Sequence, residues 1–316
     1  MRSRGRASQL RSTRLRALYE LTRTCITELT ELMDVFVKLK RKRIARAFGV
    51  KGLTNGAKSP HLSAELTERN AVLHGVDAAI TSRVVSEGSL VQLAVRKQIY
   101  KPEQQINEVY FPIDSVLSIV TRMKDGQQIE VGTIGREGMS AFPLLMGASS
   151  TANDCYCQVP GYAVTVPAKV FRELSSINPG FRQLLDRYLQ AYVNMLGQLA
   201  ACNRLHSVYE RCARWLLMTR DRVNVDDIPL THEYLAMMLG TGRSGVTIAA
   251  ATLQEAGFIR YAHGKVVIMD RPGLEAAACE CYEVAREQFA GLLRGVTQSA
   301  VGVAEKALRP RSRVSG

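Results

Sequence analysis

The sequence predicts an α+β chain in three parts: an N-terminal antiparallel β-roll, a long helix and a C-terminal winged helix-turn-helix. Three observations predict it. Leu230–Asp270 reads as two short helices followed by a hairpin. Between about Leu90 and Val166 apolar residues recur with period two and glycines punctuate the runs. From Pro179 to about Cys202 the period becomes that of a helix.

The roll is assigned to residues 61–178. Val91, Leu93 and Val95 alternate with Gln92, Ala94 and Arg96, and Tyr162, Val164 and Val166 repeat the pattern. Between them lie Val109-Tyr110-Phe111-Pro112, the run Val116 to Val120, and Ile129 with Val131. Asp125-Gly126 is a hairpin signal, and Gly132, Gly135, Gly138, Gly147 and Gly161 mark further turns. Short strands at this spacing fit a small antiparallel roll or barrel.

The long helix is assigned to residues 179–206. Leu185, Leu189, Tyr192, Leu196 and Leu199 recur at alternating spacings of four and three, the seam of a coiled coil. Leu184, Tyr188 and Met195 form a neighbouring stripe suited to packing on the roll. One subunit has difficulty covering two apolar stripes on one helix, so the seam is a dimerisation candidate and a homodimer is expected. Burial at ~1.5–3 kcal/mol per large side chain would drive the association. The competing reading is a helix buried inside one subunit.

Residues 207–290 hold the third part. Ser207-Val208-Tyr209-Glu210 is a capping box that starts a new helix, running to about Arg220 and carrying Trp215, the single tryptophan. Counting His232 as position one of the helix-turn-helix, Ala236 is at five, Gly240 at nine and Val246 at fifteen. A small residue lets the helices approach, glycine accepts the turn's positive φ, and a branched residue packs the second helix on the first. Thr231 is the expected N-cap, with Glu233 in the first turn, and Gly257 stops the second helix. Phe258–Tyr261 and Lys265–Met269 flank His263-Gly264 as the hairpin wing.

The charge is uneven. Residues 1–60 hold 15 Lys and Arg against 4 Asp and Glu, while the rest of the chain holds 27 against 25. The net charge of +13 therefore describes the extension more than the body. That segment reads either as a poorly ordered extension or as a basic arm for phosphates, and its Arg/Ser-rich start also fits a transit peptide. Residues 291–316 read as a tail. No apolar run approaches the ~18 residues of a membrane helix. Seven scattered cysteines, an odd number, fit a reducing cytoplasm and not a disulfide framework.

The order of parts, with Val109–Pro112, Val131-Gly132-Thr133-Ile134-Gly135-Arg136-Glu137-Gly138, Asn203-Arg204-Leu205-His206 through Arg214-Trp215-Leu216-Leu217, and Leu230–Asp270, resembles the Crp/Fnr family of bacterial transcription regulators. The resemblance spans about residues 65–285. It implies a cyclic-nucleotide-binding-like roll and a homodimer on a palindromic operator in double-stranded DNA. It also implies contacts to RNA polymerase, with no membrane partner. The start of the second helix would then read bases: Arg243 and Ser244, with Thr247 one turn on. Arg243 can bond guanine O6 and N7 together. Ile248 stands where relatives of the cyclic-AMP receptor type carry a base-reading arginine; an isoleucine can at most contact a thymine methyl, so a different operator preference is expected. Lys265 and His263 are phosphate-contact candidates in the wing. The alternative is a sensor or scaffold with a degenerate helix-turn-helix, since Gly242 and Gly245 weaken the second helix.

The sensor half departs from the family. Cyclic-nucleotide binders use a Gly-Glu pair for the ribose and an Arg-Ser pair for the phosphate. Here no arginine occurs from Glu137 through Phe171. A buried phosphate would lack its counter-charge, so cyclic AMP is not expected as effector and the effector is unknown. Only Cys25 precedes the roll, which excludes an Fnr-type four-cysteine cluster there. Cys155 and Cys157 share a strand face as small hydrophobes. Cys279 and Cys281, placed on one helix, would point about 200° apart, poor geometry for joint ligation. None of the five histidines lies between residues 75 and 205, so the roll has no His-ligated metal. Neither metal nor cofactor is expected, and there is no phosphate loop, G-x-S-x-G elbow or C-x-x-C, so no enzyme.

Overall fold

The computed structural model describes residues 61–223, 227–262 and 264–291. The basic extension with Cys25, His263 of the wing and the tail beyond residue 291 lie outside the described residues.

Three short helices lead into the roll: α1 (Ala64–Thr67), α2 (Ala71–His74) and α3 (Ala78–Glu87). Buried Asn70 caps α2 by accepting from the amides of Val72 and Leu73, and its Nδ2 donates to the carbonyls of Pro112 and Gly138. One side chain thus pins the helical lead to two turns of the roll.

The roll is built from β1 (Ser89–Leu93), β2 (Gln98–Tyr100), β3 (Glu108–Pro112), β4 (Val116–Arg122), β5 (Gln128–Ile134), β6 (Asp154–Val159) and β7 (Gly161–Pro167). They form two antiparallel sheets, ordered β1-β7-β3 and β2-β6-β4-β5. The sheets enclose Val109, Phe111, Leu117, Ile134, Cys157 and Val164, all nearly inaccessible. Asp125-Gly126 makes the β4–β5 hairpin as expected, with Gly126 at φ 87°. The first alternating run is shorter than its pattern: β1 ends at Leu93, because Arg96 adopts φ 61° and turns the chain. In β7 the residues from Gly161 to Val166 are all buried, so its alternation does not divide core from solvent; it is the middle strand, hydrogen-bonded on both edges. Cys155 and Cys157 are both buried, as small core residues.

Helix α4 (Ala168–Ile177) leads into the long helix α5 (Pro179–Leu205), capped by Asn178, whose Oδ1 accepts from the Phe181 amide at 2.8 Å. Leu184, Tyr188 and Met195 are buried, and the Tyr188 hydroxyl donates to the Met139 carbonyl. The two tyrosines fit only because of glycine: a Cβ on Gly138 would fall 2.2 Å from the Tyr188 ring, and one on Gly132 would fall 2.4 Å from the Tyr192 hydroxyl. The proposed seam is not uniform. Leu185 and Tyr192 are fully buried inside the same chain, Tyr192 against Phe142 with ring centroids 5.0 Å apart, because the helix lies on the roll along this stripe. Leu189, Leu196 and Leu199 remain half-buried, and Val193 is 52% exposed.

The last part runs α6 (Val208–Val223), β8 (Asp227–Pro229), α7 (His232–Leu239), α8 (Arg243–Glu255), β9 (Ile259–Ala262), β10 (Lys265–Ile268) and α9 (Arg271–Ala277), followed by helix 281–291, here α10. The capping box is formed: the Ser207 amide donates to Glu210 Oε2 at 2.8 Å, and the Glu210 amide donates to Ser207 Oγ at 3.3 Å. Cys212, Trp215, Leu216, Leu235, Leu239, Val246, Leu253, Ile259 and Val266 share one core. Cys279 and Cys281 do not share a helix: α9 ends at Ala277 and α10 begins at 281, so the angle expected from a single helix does not apply.

Candidate nucleic-acid interface

The interface is built on two turns. Thr231 caps α7 by accepting from the Tyr234 amide at 3.2 Å. The helix ends at Gly240 in the left-handed conformation, φ 57° and ψ 45°, the role its position nine required. The chain then runs through Gly242, which is the N-cap of α8 and not an interior residue; only Gly245 loosens the helix. Ala236 and Val246 are buried between α7 and α8, and Gly257 (φ 78°) closes α8.

Burial of Val246, Ala249, Ala250 and Leu253 sets the opposite face of α8 outward. On that outward face lie Arg243, Ser244, Thr247 and Ile248, all exposed, Ile248 at 67%. Arg243 and Ser244 occupy the first turn, where unpaired backbone N–H groups and the helix dipole favour an anion. The Thr247 hydroxyl is engaged within the chain: it donates to the Arg243 carbonyl and lies 3.1 Å from His232 Nδ1. The His232 ring stacks on Tyr261 with centroids 4.4 Å apart. Burial, with the Arg243 charge nearby, holds the His232 imidazole below its ordinary value, so it adds no charge to this face at neutral pH.

The wing is a three-stranded sheet ordered β8-β10-β9. The Tyr261 amide donates to Gln254 of α8 and its hydroxyl to the Leu230 carbonyl, so the wing is fixed beside the second helix. Lys265 begins β10 opposite Ala262 and Pro229 and is half-buried. Arg260 on β9 is an exposed cation that the sequence pattern did not single out.

This part is docked on the roll. Met238 Sδ lies 3.8 Å from Ser118 Oγ, and a Cβ on Gly240 would fall 2.5 Å from Ile129 Cδ1. The Trp215 indole donates to Glu130, and buried Arg222 pairs with Glu137 at 2.8 Å while bonding Thr133. Ser118 and Gln158 also donate to Glu130, and burial pushes its carboxyl up to about 7.

A second constellation escaped the sequence pattern. Cys202, His206, Cys279 and Cys281 place four ligand atoms within 4.8 Å of one another, which removes the geometric ground for expecting no metal.

The described residues thus form a roll, a long helix and a winged helix-turn-helix, in this order. Residues 210–277 match the Crp-like helix-turn-helix domain. The fold is shared with a transcriptional regulator of the Crp/Fnr family from Eubacterium rectale, at 15% identity over 66% of this chain and 98% of the other, TM-score 0.53. It is also similar to FixK2 from Bradyrhizobium japonicum, at 13% identity over 61% and 98%, TM-score 0.51. A CRP-family transcriptional regulator from Thermus thermophilus aligns at 18% identity over 60% and 96%, TM-score 0.51. No curated protein sequence matches the chain. The chain has the Crp/Fnr-type transcription-regulator fold with a helix-turn-helix DNA-binding domain. Among the described residues no helix is long and apolar enough to cross a membrane.

Proposed function

We propose that this protein regulates transcription by binding a palindromic operator as a homodimer, with RNA polymerase as a further partner. The observation that supports it best is the outward face of α8, where Arg243 and Ser244 sit at the helix start beside a fixed wing. In this reading Arg243 reads guanine, Ile248 meets a thymine methyl, and Lys265 contacts phosphate, as does His263. The Thr247 hydroxyl positions Arg243 through its carbonyl and adds contact area. Half-sites stand about 34–36 Å apart, one turn of the duplex.

The dimer contact in this reading is narrower than the full seam. Leu189, Val193 and Leu196 keep the spacing of four and three and retain exposed surface, whereas Leu185 and Tyr192 serve the chain's own core. Leu199 lies close to Trp215 and Met218 on the inner side. The effector is not cyclic AMP held in the family manner: residues 137–171 carry no arginine, and Phe142 in that stretch packs against Tyr192 of α5. Calorimetry with cyclic AMP and cyclic GMP tests this, and micromolar binding of either overturns it.

The main test is selection of bound sequences from random duplexes, followed by mobility shift of wild type and Arg243→Ala against competitor DNA. A palindrome is expected, and the variant loses ~1–3 kcal/mol together with preference at one base position per half-site. Loss of salt-sensitive affinity without loss of base preference would favour the scaffold reading.

A further inference from the structure

We propose that Cys202, His206, Cys279 and Cys281 form a closed tetrahedral site for a single divalent ion, zinc above all, at the junction of α5 with the C-terminal helices. Cys202 lies in the last turn of α5, and His206 is the C-cap residue just past its end, where its amide donates back to the Cys202 carbonyl. Cys279 comes from the break between α9 and α10, and Cys281 is the first residue of α10.

The donor geometry is that of one ion. The Cys202 and Cys279 sulfurs are 3.6 Å apart, and Cys281 Sγ is 3.5 Å from His206 Nδ1. A tetrahedral zinc with bonds of ~2.3 Å to sulfur and ~2.0 Å to nitrogen requires edges of about 3.8 Å and 3.5 Å. All four donor atoms fall within 4.8 Å of one another, too compact a set to bracket an iron–sulfur cluster, whose cysteines bind separate irons.

The surroundings complete the site. His206 Nε2 lies 3.1 Å from Glu280 Oε2, so the carboxylate orients the ring and leaves Nδ1 toward the sulfurs. Gln198 Nε2 donates to Cys281 Sγ at 3.1 Å, a bond suited to a thiolate. The three cysteines are buried and the imidazole is 17% exposed, so four protein ligands close the sphere with no position for substrate. Three thiolates around a divalent ion leave one negative charge. Buried Arg211 and Arg214, in the first two turns of α6, act electrostatically on Cys202, and each has an Nε without a hydrogen-bond partner. The ion joins α5 directly to the far end of residues 207–278, the segment that carries the reading helix, and its binding is independent of whether that helix meets DNA.

The test is the metal content of the purified full chain, followed by exchange to cobalt. About one zinc per chain is expected, and the cobalt form should show visible bands of a tetrahedral ion with thiolate charge-transfer absorption. Cys279→Ser and Cys281→Ser should abolish both, and His74→Ala, at an exposed histidine remote from the site, should alter neither. Glu280→Ala changes an exposed side chain, so folding is preserved, and zinc affinity should fall about 10–100-fold. A folded chain that takes up no cobalt at one equivalent overturns the proposal. So does a cobalt spectrum unchanged in Cys281→Ser, or a native Cys202–Cys279 disulfide found by intact mass.

Discussion

Glu130 is the place where the roll and the DNA-binding domain share a titratable group, and replacing it with glutamine has a calculable consequence. Its Oε2 accepts from Ser118 at 2.6 Å and Gln158 at 3.0 Å, and its Oε1 accepts from the Trp215 indole at 3.2 Å. These bonds and the charges of Arg222 and Arg214 favour the carboxylate, but burial outweighs them and raises the group from 4.5 to about 7. The fold therefore favours the protonated acid. Its contribution to stability is fully present below pH 4.5 and declines as pH rises through about 7. At about 1.36 kcal/mol per pH unit the whole interval amounts to roughly 3 kcal/mol, of which roughly 2 to 3 falls between pH 5 and pH 8. Glu130→Gln removes the titration, and its amide can donate to Ser118 Oγ and to Gln158 after a flip that brings the now unpartnered Gln158 Oε1 into place. Denaturant unfolding followed by Trp215 emission at pH 5 and pH 8 measures the effect. The variant should gain roughly 2 to 3 kcal/mol on wild type between the two. Asp77, Glu210 and Asp221, all held below their ordinary values, weaken the fold at acid pH in both proteins and cancel in the difference. A difference that does not change with pH, or that moves the other way, refutes the reasoning.

Four further outcomes follow from packing and exposure. Gly138→Ala would set a Cβ 2.2 Å from the Tyr188 ring, which is fully buried and bonded to Met139, so a loss of about 1–3 kcal/mol is expected in chemical denaturation. Gly245→Ala has open space, its nearest neighbour being Thr241 Oγ1 at 3.4 Å, and should stabilise α8 by up to about 1 kcal/mol, visible as a raised Tm. With the proposed dimer contact, Val193→Glu should lower the particle mass in light scattering to that of a monomer while sparing the fold. Leu185→Ala should cost about 2–5 kcal/mol of unfolding free energy and leave the mass unchanged.

Features that depend on a few neighbouring residues were legible in the sequence. The capping box at Ser207, the left-handed Gly240, the Asp125-Gly126 hairpin and the cap at Thr231 are all formed as their residue types require. The outward placement of Arg243, Ser244, Thr247 and Ile248 followed from one periodicity, because Val246, Ala249 and Leu253 demanded burial. What depends on a partner distant in sequence was not legible. The seam on α5 carries a coiled-coil spacing, yet Leu185 and Tyr192 are buried within the chain, since periodicity reports that a stripe is apolar and not what covers it. Sequence spacing alone places Cys279 and Cys281 as a pair on one helix. The break after Ala277 and the approach of Cys202 and His206 are tertiary facts that no local spacing encodes. Glu130 gave no signal either, because its environment is assembled from β4, β6 and α6.

Helix α6 is where these contacts converge, and its geometry shows how the two halves can be coupled. Trp215 and Arg222 are seven residues apart, two turns on one face, and both reach β5 or its turn: Trp215 to Glu130, Arg222 to Thr133 and Glu137. Cys212 and Leu216 lie in the core with Val246 and Leu253 of α8, and the Arg211 guanidinium holds the Leu239 carbonyl at the end of α7. Helix α6 is thus bonded to the roll on one side and packed on α8 on another. The turn at Gly240, seated on Ile129, supplies a second contact to the same strand, so the β4–β5 hairpin meets both α6 and the turn between α7 and α8. Packed contacts thus join β5 through α6 to α8, the helix that begins at Arg243.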